Sequence, residues 1–153
     1  MPNILFVCTA NRYRSVIAAE CFRSELVKHK QENTWMVSSA GTWAMDGMPP
    51  MSDATEKAKQ MGLDIHLHRS KAITENMIQE ADLVLVMESG QKEALQVEFP
   101  LFQSKTWLLT DAVKGTPYDI PDPVTGLTDG DVALEICELI REGFDKIRVL
   151  ASG

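Results

Sequence analysis

Continuous apolar runs alternate along this chain with stretches in which apolar and charged residues share a helical period. Asn3-Ile4-Leu5-Phe6-Val7 is short, apolar and β-prone, the pattern of a strand covered on both faces. Similar runs recur at Trp35–Ser39, Leu83–Met87 and Thr106–Leu109. After the first run, Val16, Ile17, Ala19, Cys21, Phe22, Leu26 and Val27 mix with Glu20, Arg23, Glu25 and Lys28 at helical spacing, which predicts a helix over Ser15–Lys30. Further helices are predicted at Ser52–Met61, Thr74–Glu80 and Ser89–Phe99. One long final helix is predicted over Asp129–Leu150, with Val132, Ile136, Leu139, Ile140, Phe144 and Ile147 on one side. Strands alternating with helices in this way imply right-handed crossovers. The predicted fold is α/β, a single doubly wound domain over residues 1–153, with a parallel sheet and helices on both faces. In such sheets ligands bind beyond the carboxyl ends of the strands. Two stretches fit neither pattern and are predicted as long loops: Gly41–Met51, with Trp43, Met45, Met48 and Pro49-Pro50, and Thr110–Thr128, with Gly115, Pro117, Pro121, Pro123 and Gly126.

The strongest chemical signal lies where the first strand gives way to the first helix. Cys8-Thr9-Ala10-Asn11-Arg12-Tyr13-Arg14-Ser15 places a thiol six residues before an arginine. A loop in that position turns successive backbone N–H groups toward one centre, and the helix N-terminus adds its partial positive charge, so Thr9 to Ser15 form a cradle for an oxyanion. Arg14 brings a planar, permanently charged fork that can hold two oxygens at once. The same electropositive setting favours the thiolate of Cys8. Phosphate binding and nucleophile then belong to one structure.

Charge narrows the partners. A net charge of −7 and a pI near 4.9 argue against nucleic acid or an anionic membrane surface. In so acidic a chain the positive potential for a phosphate dianion must be local, from a helix terminus with Arg12 and Arg14. Three cysteines without paired spacing form neither a disulfide framework nor a zinc site, and no leader or long apolar segment stands out. The expected setting is a reducing cytoplasm, with Cys21 and Cys137 as small buried hydrophobes on helices. His66 and His68 alternate, but no further ligands gather near them, so neither a metal nor another cofactor is expected.

The chain resembles the low-molecular-weight protein tyrosine phosphatases nearly end to end. Besides Cys8 to Ser15, the resemblance rests on Ser39-Ala40-Gly41-Thr42, the stretch Gly62-Leu63-Asp64 to His68, Val86-Met87-Glu88, and Asp122-Pro123 before the final helical region. It implies a four-stranded doubly wound sheet and a cysteinyl-phosphate mechanism. In that mechanism Cys8 is the nucleophile and Arg14 stabilises the phosphoryl oxygens. Asp122 is the general acid, held between Pro121 and Pro123, while the nearby Asp119 reads as a solvated turn residue. The resemblance also implies a supporting network of Asn11, Ser15, Ser39 and His68 that stiffens the cradle, with Ser15 stabilising the thiolate. Asparagine suits position 11 because it tolerates positive φ. Arg12, Tyr13 and Trp43 are the expected substrate-pocket residues. The expected partner is a phosphorylated protein or a small aryl phosphate, and oligomeric state is left open.

Three departures from the family pattern matter. Tyr13 stands where a second cysteine commonly precedes the motif arginine, Val16 replaces the usual proline, and Val124-Thr125 replace aromatics after the acid. Without the neighbouring cysteine, Cys8 is expected to be more exposed to irreversible oxidation. Three alternatives stand beside the tyrosine phosphatase reading. A thioredoxin-coupled arsenate reductase would need further reactive cysteines. A protein arginine phosphatase would be poorly served by a cationic Arg12. The third is a non-catalytic phosphate-binding module.

Overall fold

A computed structural model describes residues 1–123 and 131–153 of the chain. The parallel sheet comprises β1 (Asn3–Cys8), β2 (Met36–Gly41), β3 (Leu83–Val86) and β4 (Thr106–Leu108), in the order β2-β1-β3-β4. The order reverses beside β1, so the crevice for a ligand opens at the end of β1, where Cys8 lies opposite Gly41 of β2. Helices α1 (Arg14–Lys28), α2 (Ser52–Gln60), α3 (Glu75–Glu80), α4 (Ser89–Glu98), α5 (Leu109–Lys114), α6 (Val132–Glu142) and α7 (Phe144–Ser152), with a 3-10 helix at Pro100–Lys105, complete the described fold. The fold matches the expected α/β architecture. Among the described residues no helix is long and apolar enough to cross a membrane.

The uninterrupted apolar run of β1 is explained by burial on both faces. Ile4, Phe6 and Cys8 point into the core under α1 and α6, while Leu5 and Val7 join Ile78, Val84, Val86 and Leu95 on the opposite face. Phe22 of α1 anchors the larger core, its ring 5.9 Å from Phe6, 5.8 Å from Trp35 and 5.3 Å from Phe144. Truncating such a fully buried aromatic costs about 3–5 kcal/mol.

Three sequence expectations are corrected. The final helix is not continuous: α6 and α7 meet at Gly143, where a Cβ would approach Val113 Cγ2 to 2.4 Å. The missing side chain lets this junction pack directly on α5. The predicted start of that helix at Asp129 lies outside the described residues, and α6 opens at Asp131, whose side chain accepts from Leu134 N–H. The stretch expected as a loop from Thr110 begins instead as α5, with Leu109, Ala112 and Val113 buried and Gly115 closing it at φ 71°. Finally, Cys21 and Cys137 are buried on helices as expected but are not independent, since the structure joins them as a disulfide between α1 and α6.

Candidate active site

Every part of the phosphate-loop motif converges at the carboxyl end of β1. Asn11 is the organising residue. It is completely buried and takes φ 56°, a left-handed conformation that asparagine accepts at less cost than most residues. Its Oδ1 accepts the backbone N–H of Lys71 at 2.9 Å, which fixes the amide's orientation. Nδ2 is therefore the end that donates to Ser15 Oγ at 2.8 Å and to Ser39 Oγ at 3.0 Å. Ser15 Oγ also lies 2.9 Å from Cys8 Sγ, within reach of its hydroxyl proton. On the far side His68 Nε2 meets the Asn11 carbonyl at 2.7 Å. Burial holds His68 below its ordinary range; the Asn11 carbonyl opposes this, and nearby Lys71, Arg23 and Arg69 add to it. The neutral ring with its proton on Nε2 thus locks the loop. All four supporting residues expected from the sequence are brought together.

Arg14 opens α1 and is 3 % exposed. Its Nη1 donates to Glu88 Oε1 and, at 2.8 Å, to the Ile120 carbonyl, while Nη2 lies 3.9 Å from Asp122 Oδ2. A buried guanidinium needs such partners. They also aim it: Glu88 is the N-cap of α4, and the Ile120 carbonyl comes from the segment carrying Asp122, where Ile120 N–H bonds the Met87 carbonyl at 2.9 Å. Arg14 is thus supported from two elements distant in sequence.

Cys8, 2 % exposed, lines a hollow of about 250 Å³ together with Ala10, Arg12, Tyr13 and Arg14, with Met51 and Asp122 completing the wall. Arg12 Nε donates to the Pro49 carbonyl at 2.8 Å and the Arg12 carbonyl accepts Met51 N–H at 3.0 Å, so the 41–51 loop is laced to the rim. The Tyr13 phenol is pushed up to about 12, chiefly by burial and then by Asp53 and Asp131, so it stays neutral at working pH. Trp43, expected as a pocket wall, does not line the hollow. Its backbone N–H bonds the Thr9 carbonyl at 2.9 Å, but its side chain is 86 % exposed, and Met51 supplies the apolar surface instead. Asp119, read as a solvated turn residue, is exposed but engaged, accepting Ser89 N–H at 2.8 Å at the start of α4. Val124 and Thr125 lie outside the described residues.

Three residues of the site went unread in the sequence. Glu88 and Gly41 enter the sequence reading only as landmarks of the resemblance, yet Glu88 carries Arg14 and Gly41 permits the loop to pass, since a Cβ there would lie 2.3 Å from the Thr9 carbonyl oxygen; Gln91 bonds Thr9 Oγ1 at 3.1 Å. The capping pair Glu88 and Gln91, three residues apart at a helix start, was the available local signal.

A thiol hydrogen-bonded to a hydroxyl, a guanidinium and a carboxylate around one anion-sized hollow form a unit suited to attack on a phosphorus centre. The chain's similarities agree with that chemistry. A protein-arginine-phosphatase of Geobacillus stearothermophilus is 39% identical over 127 residues, covering 82% of both chains. A low molecular weight protein-tyrosine-phosphatase of Streptomyces coelicolor is 30% identical over 150 residues, covering 92% of this chain and 90% of the relative. Among solved structures, the YwlE arginine phosphatase, a cysteine-to-serine mutant with a phosphorylated active-site serine, superposes with a TM-score of 0.85 at 27% identity, covering 95% of each chain. The family described as low molecular weight phosphotyrosine protein phosphatase matches residues 3–149, and with the fold and the loop geometry in agreement, the chain belongs to that family.

Proposed function

We propose that this protein is a cysteine-dependent phosphomonoesterase acting on protein phosphotyrosine. The observation that carries the reading is the bond sequence from Lys71 N–H through Asn11 and Ser15 to Cys8, which delivers a proton donor to the sulfur inside the hollow. It stabilises sulfur as the anion. In the first step Cys8 Sγ attacks phosphorus, the S–P bond forms as the ester P–O bond breaks, and Asp122 gives its proton to the departing oxygen. In the second, the Asp122 carboxylate takes a proton from water, the new O–P bond forms, and the S–P bond breaks to release inorganic phosphate and the thiolate. Arg14 and the backbone N–H groups of the loop stabilise the equatorial oxygens in both steps. Cys8→Ser is expected to abolish hydrolysis of p-nitrophenyl phosphate in the presence of a chelator while leaving the thermal melt unchanged. Turnover retained by that variant would refute the assignment.

Similarity to named arginine phosphatases favours a second reading, phosphoarginine as substrate. Arg12 opposes it. Its side chain is tied to Pro49 at the rim of the hollow, so a phosphoarginine guanidinium would enter beside a fixed cation. Matched phosphotyrosine and phosphoarginine peptides distinguish the two. A kcat/KM at least about tenfold higher for phosphotyrosine is expected, a margin of about 1.4 kcal/mol; the reverse order would establish the arginine reading. The pairing of Cys21 with Cys137 rather than with Cys8 gives no support to a cysteine relay of the arsenate reductase kind.

A further inference from the structure

Opposite the Asn11 network, the cradle is held by a second buried amide. Gln91 sits in the first turn of α4 and is 3 % exposed. Its Oε1 accepts the backbone N–H groups of Met87 at 2.9 Å and Glu88 at 3.0 Å. Two backbone donors on that oxygen fix the amide's orientation, so Nε2 is the end that donates to Thr9 Oγ1. The oxygen end is accounted for by helix capping. The nitrogen end is not: α4 needs no contact with the strand-to-helix loop to be capped.

What the nitrogen end reaches is the residue directly after Cys8. What the oxygen end holds is the turn carrying Glu88, the carboxylate on Arg14. From this juxtaposition we infer that Gln91 is a positioning residue for the reaction, setting the first residue of the phosphate cradle and the anchor of Arg14 in fixed register through one buried carboxamide. The inference rests on the phosphatase reading above. Gln91 acts through Thr9, so its contribution is one well-placed hydrogen bond, about tenfold in kcat/KM.

Gln91→Glu isolates the nitrogen end. It keeps an oxygen for the Met87 and Glu88 N–H groups and replaces the donor facing Thr9 with an acceptor, so that the bond survives only where the Thr9 hydroxyl turns its own proton to it. The charged groups around the position are Glu88 on its own turn, Arg14 of α1 on Glu88, Asp119 of the adjoining loop on Ser89, and Cys8 beside Thr9. The two backbone N–H groups on its oxygen, the N-terminus of α4 and Arg14 favour the ionised form of the new carboxyl, so any loss is expected to persist from about pH 8 to about 5. The experiment measures kcat and KM for p-nitrophenyl phosphate over that range for the wild-type chain, Gln91→Glu, Thr9→Val and the double variant. Each is expressed relative to wild type at the same pH. Gln91→Glu is expected to lose up to about tenfold, mostly in kcat, at every pH. Thr9→Val is expected to lose a similar factor at every pH, with the double variant no worse than the poorer single one. Wild-type behaviour of Thr9→Val at all pH values, or losses that multiply in the double variant, would overturn the inference. Should Gln91→Glu fail to fold, Thr9→Val decides alone, its wild-type behaviour counting against. An inactive wild-type chain sinks the phosphatase reading instead. The inference is then decided by inorganic phosphate binding followed by phosphorus NMR, which Thr9→Val weakens if the amide sets the cradle and leaves unchanged if it does not.

Discussion

Opening the link between Cys21 and Cys137 is expected to lower the melting temperature more than any change of one surface residue. The two cysteines are separated by 116 positions, with Cα atoms 5.6 Å apart, and both are buried between α1 and α6. Because the sulfurs stay packed in the core when reduced, the effect comes mainly from the unfolded chain. Closing a loop of this length removes chain entropy worth about 4.8 kcal/mol at 25 °C. Set against an unfolding entropy of about 0.3 kcal/mol/K for a chain of this size, this becomes a fall of about 15 °C. Glu25 and Arg141, each four residues further along their helices, meet at 3.6 Å and hold the same parallel register, so reduction should leave the fold intact. The assay is a pair of melts, with and without a phosphine reductant, alongside thiol titration under denaturing conditions. The oxidised protein should titrate a single thiol, Cys8, and the reduced protein three. Cys21→Ala with Cys137→Ala should melt low regardless of reductant. Three thiols in air-oxidised protein, or a reductant shift below about 3 °C, would refute the reasoning. The result also bears on the expected cytoplasmic setting, because intracellular thiol pools reduce accessible disulfides.

Gly41→Ala should disrupt the cradle, since its Cβ would lie 2.3 Å from the Thr9 carbonyl oxygen and 3.1 Å from the Ala10 carbonyl carbon. We expect a loss of about 1–3 kcal/mol of stability and weakened inorganic phosphate binding, read by urea melts and calorimetry. Asp122→Asn should lower kcat by about a hundredfold or more on phosphotyrosine but less on p-nitrophenyl phosphate, whose leaving group needs little protonation. Equal losses on both would remove Asp122 from the acid's role. Because His68 is held below its ordinary range in the fold, the unfolded chain binds its proton more readily. Stability is therefore complete above the unfolded value of about 6.5 and declines as pH falls toward the folded one. Urea melts between about pH 7.5 and 5 should show that slope, and His68→Gln should flatten it; an NMR titration placing His68 above its ordinary value would contradict it.

Local pattern carried much of this protein. The run Ile4 to Val7 predicts a strand because both faces of β1 are covered, and the spacing of Val16, Ile17, Phe22 and Leu26 predicts α1 because these residues all face one core. The motif between them brings Cys8 and Arg14 to one hollow because a single strand-to-helix turn carries both, which is local information. Where elements were short or broken, the pattern failed. Leu109 to Lys114 follows directly on an apolar strand and hides its helical period, and Gly143 breaks the last helix for a contact with Val113 that no window around it contains.

The chain's own order of residues therefore determined the strand–loop–helix unit, with its cysteine and its arginine, since hydrophobic period and motif spacing act over neighbours. Tertiary structure alone decided what surrounds that unit. Glu88 and Ile120 support Arg14 from distant elements, Lys71 orients Asn11, Gln91 reaches Thr9, and Cys21 meets Cys137. Trp43 turns outward while Met51 lines the hollow. Each of these is a contact between segments far apart in the chain, fixed by how helices dock on the sheet, and such docking leaves no periodic trace in the residues that take part.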